Sequence, residues 1–131
     1  MPSQRIFADT NAFAALIVER NQCHHHANCI TRRLNDSRRF MATTNFVVAE
    51  THTTVLARAG SDTTLLILDH IERAVEFIER ITADDELRAR VILEQYSDAT
   101  SFVVMERLGL TEAFTFDRHF AQFGFALLQP G

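Results

Sequence analysis

Short apolar segments of strand character alternate along this chain with segments of helical period, and that alternation restricts the fold more than any other feature. Strands are predicted over residues 5–8, 39–42, 75–81, 113–116 and 125–128. Helices are predicted over 11–19, 23–34 and 46–59, from 61 or 62 through Ile71, from Thr82 to about Gln95, and from Asp98 to Leu108. Gly60 and Gly109 read as helix stops, and Thr43-Thr44, Ser61, Asp62 and Thr82 as caps. Asp84, Asp85 and Glu86 fall in the first turn of their helix, where carboxylates suit the macrodipole. Such alternation implies a mostly parallel sheet covered on both faces, a three-layer α/β/α sandwich. No internal repeat or linker divides the sequence, so residues 1–131 are expected to form a single domain.

Composition removes several chemistries. All 13 basic residues are arginine, which excludes a P-loop, a Schiff-base enzyme and a receiver domain that uses lysine. The four glycines, at 60, 109, 124 and 131, cannot form a dinucleotide-binding turn. Cys23 and Cys29 make neither a disulfide framework nor a CxxC pair, and read as small core or near-core residues. A net charge of −4 argues against a general nucleic-acid coat protein, though not against an enzyme that meets a polyanion through a metal ion. Charges interrupt every apolar stretch, so no membrane span is expected. The N-terminus leads straight into a strand without a secretion pattern, and a cytoplasmic location is expected.

In open parallel sheets, ligands bind outside the carboxyl ends of the strands. Asp9 follows the first predicted strand and Asp117 the fourth; each also reads as a helix N-cap. Glu50 lies three residues after Val47 and four after Phe46, on or beside the apolar stripe of its helix, and it could instead snorkel or pair with Arg5 or Arg58. Asp98 opens the helix that carries Phe102 and Met105, again in an N-cap position. Four carboxylates from four segments, brought to one end of a sheet, could not all stay ionised without a cation. Hard oxygen donors suit Mg²⁺ or Mn²⁺, ions that typically serve in-line phosphoryl chemistry.

Phe7-Ala8-Asp9-Thr10-Asn11-Ala12, Thr44 through Thr51, Asp98 through Phe102, and Thr115-Phe116-Asp117-Arg118-His119-Phe120 together resemble the ordered motifs of the PIN-domain family, in particular the VapC-type toxin nucleases of prokaryotic toxin–antitoxin operons. The resemblance covers nearly the whole chain. It implies a Mg²⁺- or Mn²⁺-dependent endoribonuclease in which Asp9, Glu50, Asp98 and Asp117 are catalytic and hold the metal, while Asn11 and Thr115 orient the carboxylates. It also implies an RNA substrate, a small antitoxin partner that blocks the site, and a homodimer. One departure stands out: only Tyr96-Ser97 connects the two helices before Asp98, where the family usually has a longer loop. Either the connection is short or a stretch is missing, in which case Asp98 is the loop's acid rather than the site's.

Other features admit competing readings. Cys23-His24-His25-His26 invites zinc, but adjacent histidines point about 100° apart on a helix, so a surface or partner-facing helix is favoured. Arg32, Arg33, Arg38 and Arg39 form the densest basic patch, able to guide an RNA backbone toward the carboxylates or simply to lie as a solvated helix end. His119 could contact RNA. The phenylalanines read as core rather than as a base-stacking platform. A phosphatase of the haloacid dehalogenase type lacks its second Asp and its Lys here. A non-catalytic RNA- or protein-binding module remains the alternative to an enzyme.

Overall fold

The computed structural model describes residues 4–93 and 98–130. In chain order the elements are β1 (Arg5–Ala8), α1 (Thr10–Ile17), α2 (His24–Asp36), β2 (Phe40–Thr44), α3 (Asn45–Ala74), β3 (Val75–Glu79), α4 (Ala83–Leu93), α5 (Ala99–Leu108), β4 (Glu112–Phe114), α6 (His119–Phe123) and β5 (Ala126–Leu127). The five strands form one sheet in the order β3-β2-β1-β4-β5, every pair parallel. Parallel neighbours need crossovers, and right-handed crossovers put α1 to α3 on one face and α4 to α6 on the other. The helix contacts divide the same way: α1 packs on α2 and α3, and α4 on α5. The expected three-layer α/β/α arrangement is what forms.

β1 is the central strand because it is apolar on both faces: Ile6, Phe7 and Ala8 are all buried. Phe13, Ile30, Ile67 and Ile71 cover one side. On the other, Phe102 meets Phe120 edge-on at 4.9 Å between ring centres and stacks on Phe123 at 4.6 Å. Strand order reverses between β1 and β4, so their carboxyl ends open a crevice at the switch point of the sheet.

Several boundaries differ from the sequence expectation, each for a local reason. β4 stops at Phe114 rather than 116, because the Phe116 N–H donates to Asn11 Oδ1 at 3.0 Å instead of to a strand. β3 stops at Glu79 rather than 81, because the Ile81 N–H donates to Asn45 Oδ1 at 2.8 Å. The five-residue helix α6 went unpredicted; it is too short to show a period. Phe125 closes that helix by donating to the Phe120 carbonyl, so β5 begins at Ala126. The predicted helix end near Gln95 and the Tyr96-Ser97 connection lie outside the described residues.

Gly60 does interrupt the helical run, at φ 85° and ψ 178°, and α3 bends there. Thr82 and Asp85 cap α4 reciprocally: the Thr82 N–H donates to Asp85 Oδ2 at 3.0 Å, and the Asp85 N–H to Thr82 Oγ1 at 3.1 Å. Asp85 does more than suit a helix end. It is buried and accepts from Arg107 Nε at 3.0 Å and Nη2 at 2.9 Å, tying α4 to α5. Burial acts to raise the Asp85 pKa, but the Arg107 hydrogen bonds and those from Thr82 outweigh it and hold the carboxyl below its ordinary range. A carboxylate lowered by folding contributes stability that is present above the unfolded value and is lost as pH falls through the folded one. Asp85→Asn is therefore expected to destabilise the protein by about 1.5–3 kcal/mol at pH 7, and urea unfolding should show that gap closing as the pH is taken to about 3. A gap independent of pH would mean that the carboxylate charge contributes nothing.

Candidate metal centre

Asp9 follows β1 directly, with extended backbone dihedrals (φ −106°, ψ 167°) that place it at the N-cap of α1. Its side chain does not cap that helix. The same holds for Asp98 before α5. Both carboxylates are aimed elsewhere, into the crevice at the β1–β4 switch point, and the N-cap alternative fails for both.

A polar clamp fixes the Asp9 side of the crevice. The Thr115 hydroxyl lies 3.2 Å from Asp9 Oδ2 and 3.1 Å from Asn11 Oδ1, able to donate to one at a time, and accepts the Asp117 N–H at 3.1 Å. Asn11, by holding both Thr115 and the Phe116 N–H, turns the chain out of β4 and delivers Asp117 to the crevice. Asp117 Oδ1 in turn accepts the His119 N–H at 2.9 Å, with the His119 imidazole Nδ1 3.3 Å away.

Glu50 enters from α3. Expected on or beside the apolar stripe of its helix, it lies beside that stripe, exposed at the rim of the crevice. Neither proposed arginine meets it among the described residues. Arg5 engages Glu76, and Glu50 Oε1 accepts a short hydrogen bond from the Thr10 hydroxyl. Glu50 and Asp98 line a common depression of about 360 Å³.

The electrostatics show what this proximity costs. Burial, reinforced by the charges of Glu50 and Asp117, raises the Asp9 pKa to about 6 despite hydrogen bonds from the Thr10 N–H and Thr115. Burial, a hydrogen bond shared with Asp117, and the charges of Asp9, Asp117 and Glu50 push Asp98 up to about 8. All four acids therefore act on one another. Two of their oxygens, Asp9 Oδ1 and Asp98 Oδ2, are buried without any hydrogen-bond partner. Donor atoms of Asp98, Asp117 and His119 lie within 4.8 Å of one another, the one such group among the described residues. Hard oxygens with unsatisfied lone pairs and mutual repulsion fit a divalent cation.

Residues 6–126 match the PIN domain. The chain belongs to the PIN-domain family. It is 34% identical over 133 residues to the 23S rRNA-specific endonuclease VapC20 of Mycobacterium tuberculosis, from strain CDC 1551 / Oshkosh and strain H37Rv alike, across 95% of this chain and 98% of the relative. The crystal structure of Mycobacterium tuberculosis VapC20, a Sarcin-Ricin loop cleaving toxin, superposes with a TM-score of 0.80 at 32% identity, covering 95% of this chain and 99% of that one.

For the basic patch the sequence left two readings open, an RNA guide and a solvated helix end, and the structure bears on its position. Arg38 and Arg39 precede β2, at the opposite end of the strands from the carboxylates. Arg39 is held by Glu112, with Nη1 3.1 Å from Oε2, and Arg33 Nη1 donates to the Gln129 carbonyl at 2.9 Å. Arg32 lies on α2, which leads to the same end. None of the four lines the acidic depression. The histidine run is engaged internally: His24 bonds the Ala15 carbonyl and Asn28, and His25 meets Cys29. Sequence reasoning missed Thr10, whose hydroxyl positions Glu50; its place in Asp9-Thr10-Asn11 was the available signal. His119, expected near the site as a possible RNA contact, stands with its Nδ1 3.3 Å from Asp117 Oδ1.

The raised pKa values set the pH dependence. A cation must displace the protons, so affinity for Mn²⁺ should fall between pH 8.5 and pH 5.5 by up to about tenfold per pH unit for each proton displaced, as measured by calorimetric titration. A carboxyl whose folded pKa lies above its ordinary 3.8 is fully accommodated below that value and costs stability as pH rises through the folded one. Asp98→Asn should therefore raise the melting temperature of metal-stripped protein at pH 8 while abolishing most of its response to Mn²⁺. A lower melting temperature for stripped Asp98→Asn would contradict this.

Proposed function

We propose that this PIN-domain endoribonuclease is the toxin of a toxin–antitoxin pair, and that it hydrolyses an RNA phosphodiester in the crevice formed by Asp9, Glu50, Asp98 and Asp117, which hold Mg²⁺ or Mn²⁺. The observation that carries this reading is the pair of buried, unpartnered carboxylate oxygens on Asp9 and Asp98 among the described residues, in surroundings that disfavour the ionised forms unless a positive charge opposes them. A divalent ion at these oxygens supplies Lewis acidity toward the phosphodiester and its attacking water.

The chain's own groups do the rest. The Asn11–Thr115 clamp holds Asp9 and Asp117 at fixed separation, and Thr10 holds Glu50 at the rim, so that a cation and the attacking water would meet a preorganised set of acceptors. Asp98, whose pKa its surroundings raise to about 8, would have to release its proton to hold a cation. The depression is open, which admits a polymer rather than enclosing a small molecule. The expected products carry 5′-phosphate and 3′-hydroxyl ends.

The match to VapC20 supports a substrate class: a structured loop of 23S ribosomal RNA. It equally supports a cognate antitoxin that covers the crevice. A homodimer and a cytoplasmic location complete the proposal; none of the described helices is long and apolar enough to cross a membrane. The test is incubation of the purified protein with ribosomes and with total RNA, with Mn²⁺, with Mg²⁺, or with chelator. Discrete metal-dependent cuts are expected, reduced about 100-fold or more in Asp9→Asn and Asp117→Asn, and about 10–100-fold in Thr115→Val. Full activity in either Asp variant would remove the mechanism. Absence of cleavage by metal-loaded, antitoxin-free protein would replace the enzyme with a non-catalytic RNA- or protein-binding module.

A further inference from the structure

Four buried side-chain atoms among the described residues lack a hydrogen-bond partner, and they fall into two pairs. Asp9 Oδ1 and Asp98 Oδ2 belong to the acidic crevice. The other two, Thr31 Oγ1 and His70 Nε2, belong to residues that line one cavity of about 450 Å³ at the far end of the sheet. That cavity lies between the last turns of α2, the last turns of α3 and the start of β2. Arg38, Arg39 and Arg73 line the same cavity, and no acidic residue is among its lining. Arg39 is neutralised by Glu112. Arg38 and Arg73 make no ion pair among the described residues. Arg38 also holds an unusual left-handed backbone, φ 55°, where the chain leaves α2.

Two uncommitted guanidinium groups beside a buried hydroxyl and a buried imidazole nitrogen form a receptor for an oxyanion. Burial and the Arg73 charge lower the His70 pKa, which favours the neutral imidazole, whose Nε2 is a donor in one tautomer. Phe40, 46% exposed, stands at the edge of the same cavity. It departs from the expectation that the phenylalanines are all core, and it offers a ring face for an unstacked base. Phosphate donors beside one exposed aromatic are the combination by which proteins hold single-stranded RNA.

We propose that this cavity is a second RNA-binding site, remote from the cleavage crevice, in which Arg38, Arg73, Thr31 and His70 take a backbone phosphate while Phe40 stacks on an adjacent base. The inference rests on the reading of the protein as an RNA-cutting enzyme, and gives that enzyme a hold on substrate beyond the cut. A strand of five residues separates the two ends of the sheet, on the order of 15–20 Å. A short oligonucleotide can fill the crevice alone, whereas a large folded RNA can reach both.

Two measurements on the full chain test it. In chelator, where no cleavage occurs, fluorescence anisotropy with a labelled fragment of 23S ribosomal RNA should show the Arg38→Glu/Arg73→Glu variant binding about tenfold or more weakly, with the slope of log affinity against log salt reduced by about one per arginine. In Mn²⁺, the same variant and Phe40→Ser should raise KM for the large RNA with kcat held within about twofold. Arg73→Lys should retain most of the binding, since a phosphate contact needs charge more than geometry. Unchanged binding and KM in the arginine variant would overturn the proposal even if cleavage is intact. If wild type cuts no RNA yet loses RNA binding with the arginines, the enzyme reading fails and the site stands. Titration with inorganic phosphate, followed by the His70 ring proton resonances, separates the remaining source. A His70 shift with phosphate but none with RNA would make this a small-anion site and overturn the RNA assignment.

Discussion

The arrangement of the molecule depends on one uncomfortable placement: a carboxylate, Asp9, buried to 4% exposure at the end of the central strand. β1 is apolar on both faces and flanked by parallel neighbours, so whatever follows Ala8 emerges at the switch point of the sheet with little water around it. An alanine there would simply extend the core. An aspartate there must be answered, and the surrounding structure is organised as that answer. Thr115 and Asn11 draw β4 to an early end and bring Asp117 alongside. These additions supply hydrogen bonds but also more negative charge, so the crevice remains short of one component, a cation.

The charge distribution then has a direction. A net charge of −4 describes the chain as a whole, yet the acids of the crevice gather at the carboxyl ends of the strands while Arg38 and Arg73 line a cavity at their amino ends. The orphaned atoms follow the same division, carboxylate oxygens at one end and a hydroxyl and imidazole at the other. Between them the sheet is packed with phenylalanine and aliphatic side chains that carry no polar group. Each end is thus free to have its own sign of potential, because the low-polarity layer between them holds nothing that would neutralise either.

Much of this was legible in the residues. Strand and helix alternation gave the sandwich, and Gly60 declared the break in α3, because both depend on local chemistry that a sequence displays directly. The acids were harder. Asp9 and Asp98 occupy N-cap positions, and a capping aspartate and a site aspartate are identical in sequence; what separates them is that neither side chain here makes the capping hydrogen bond. Glu50 could be read only as on or beside the apolar stripe, because the spacing does not reveal which face a neighbouring element leaves uncovered. For the arginines an RNA guide and a solvated helix end stayed open, since adjacency along the chain does not disclose that Arg39 is committed to Glu112, 73 residues away. Thr31 and His70 carry no sequence signal at all, since each becomes notable only when burial removes its water.

α3 connects these observations. As a straight helix its 30 residues would run about 45 Å at 1.5 Å per residue, more than twice the length of any strand it must return beside. It starts at the acidic end, presenting Glu50 within two turns, and must finish at the amino end of β3, next to β2. Only a bend lets one uninterrupted crossover do both. Gly60 supplies it with a backbone conformation open to glycine and strained for other residues, although nothing lies within 4 Å of where a Cβ would sit. The demand is therefore on dihedral angle and not on space. Past the bend, the second segment turns Ile67 and Ile71 into the core and carries His70 and Arg73 to the basic cavity. A single glycine thereby fixes where the helix that serves the acidic crevice delivers its other end.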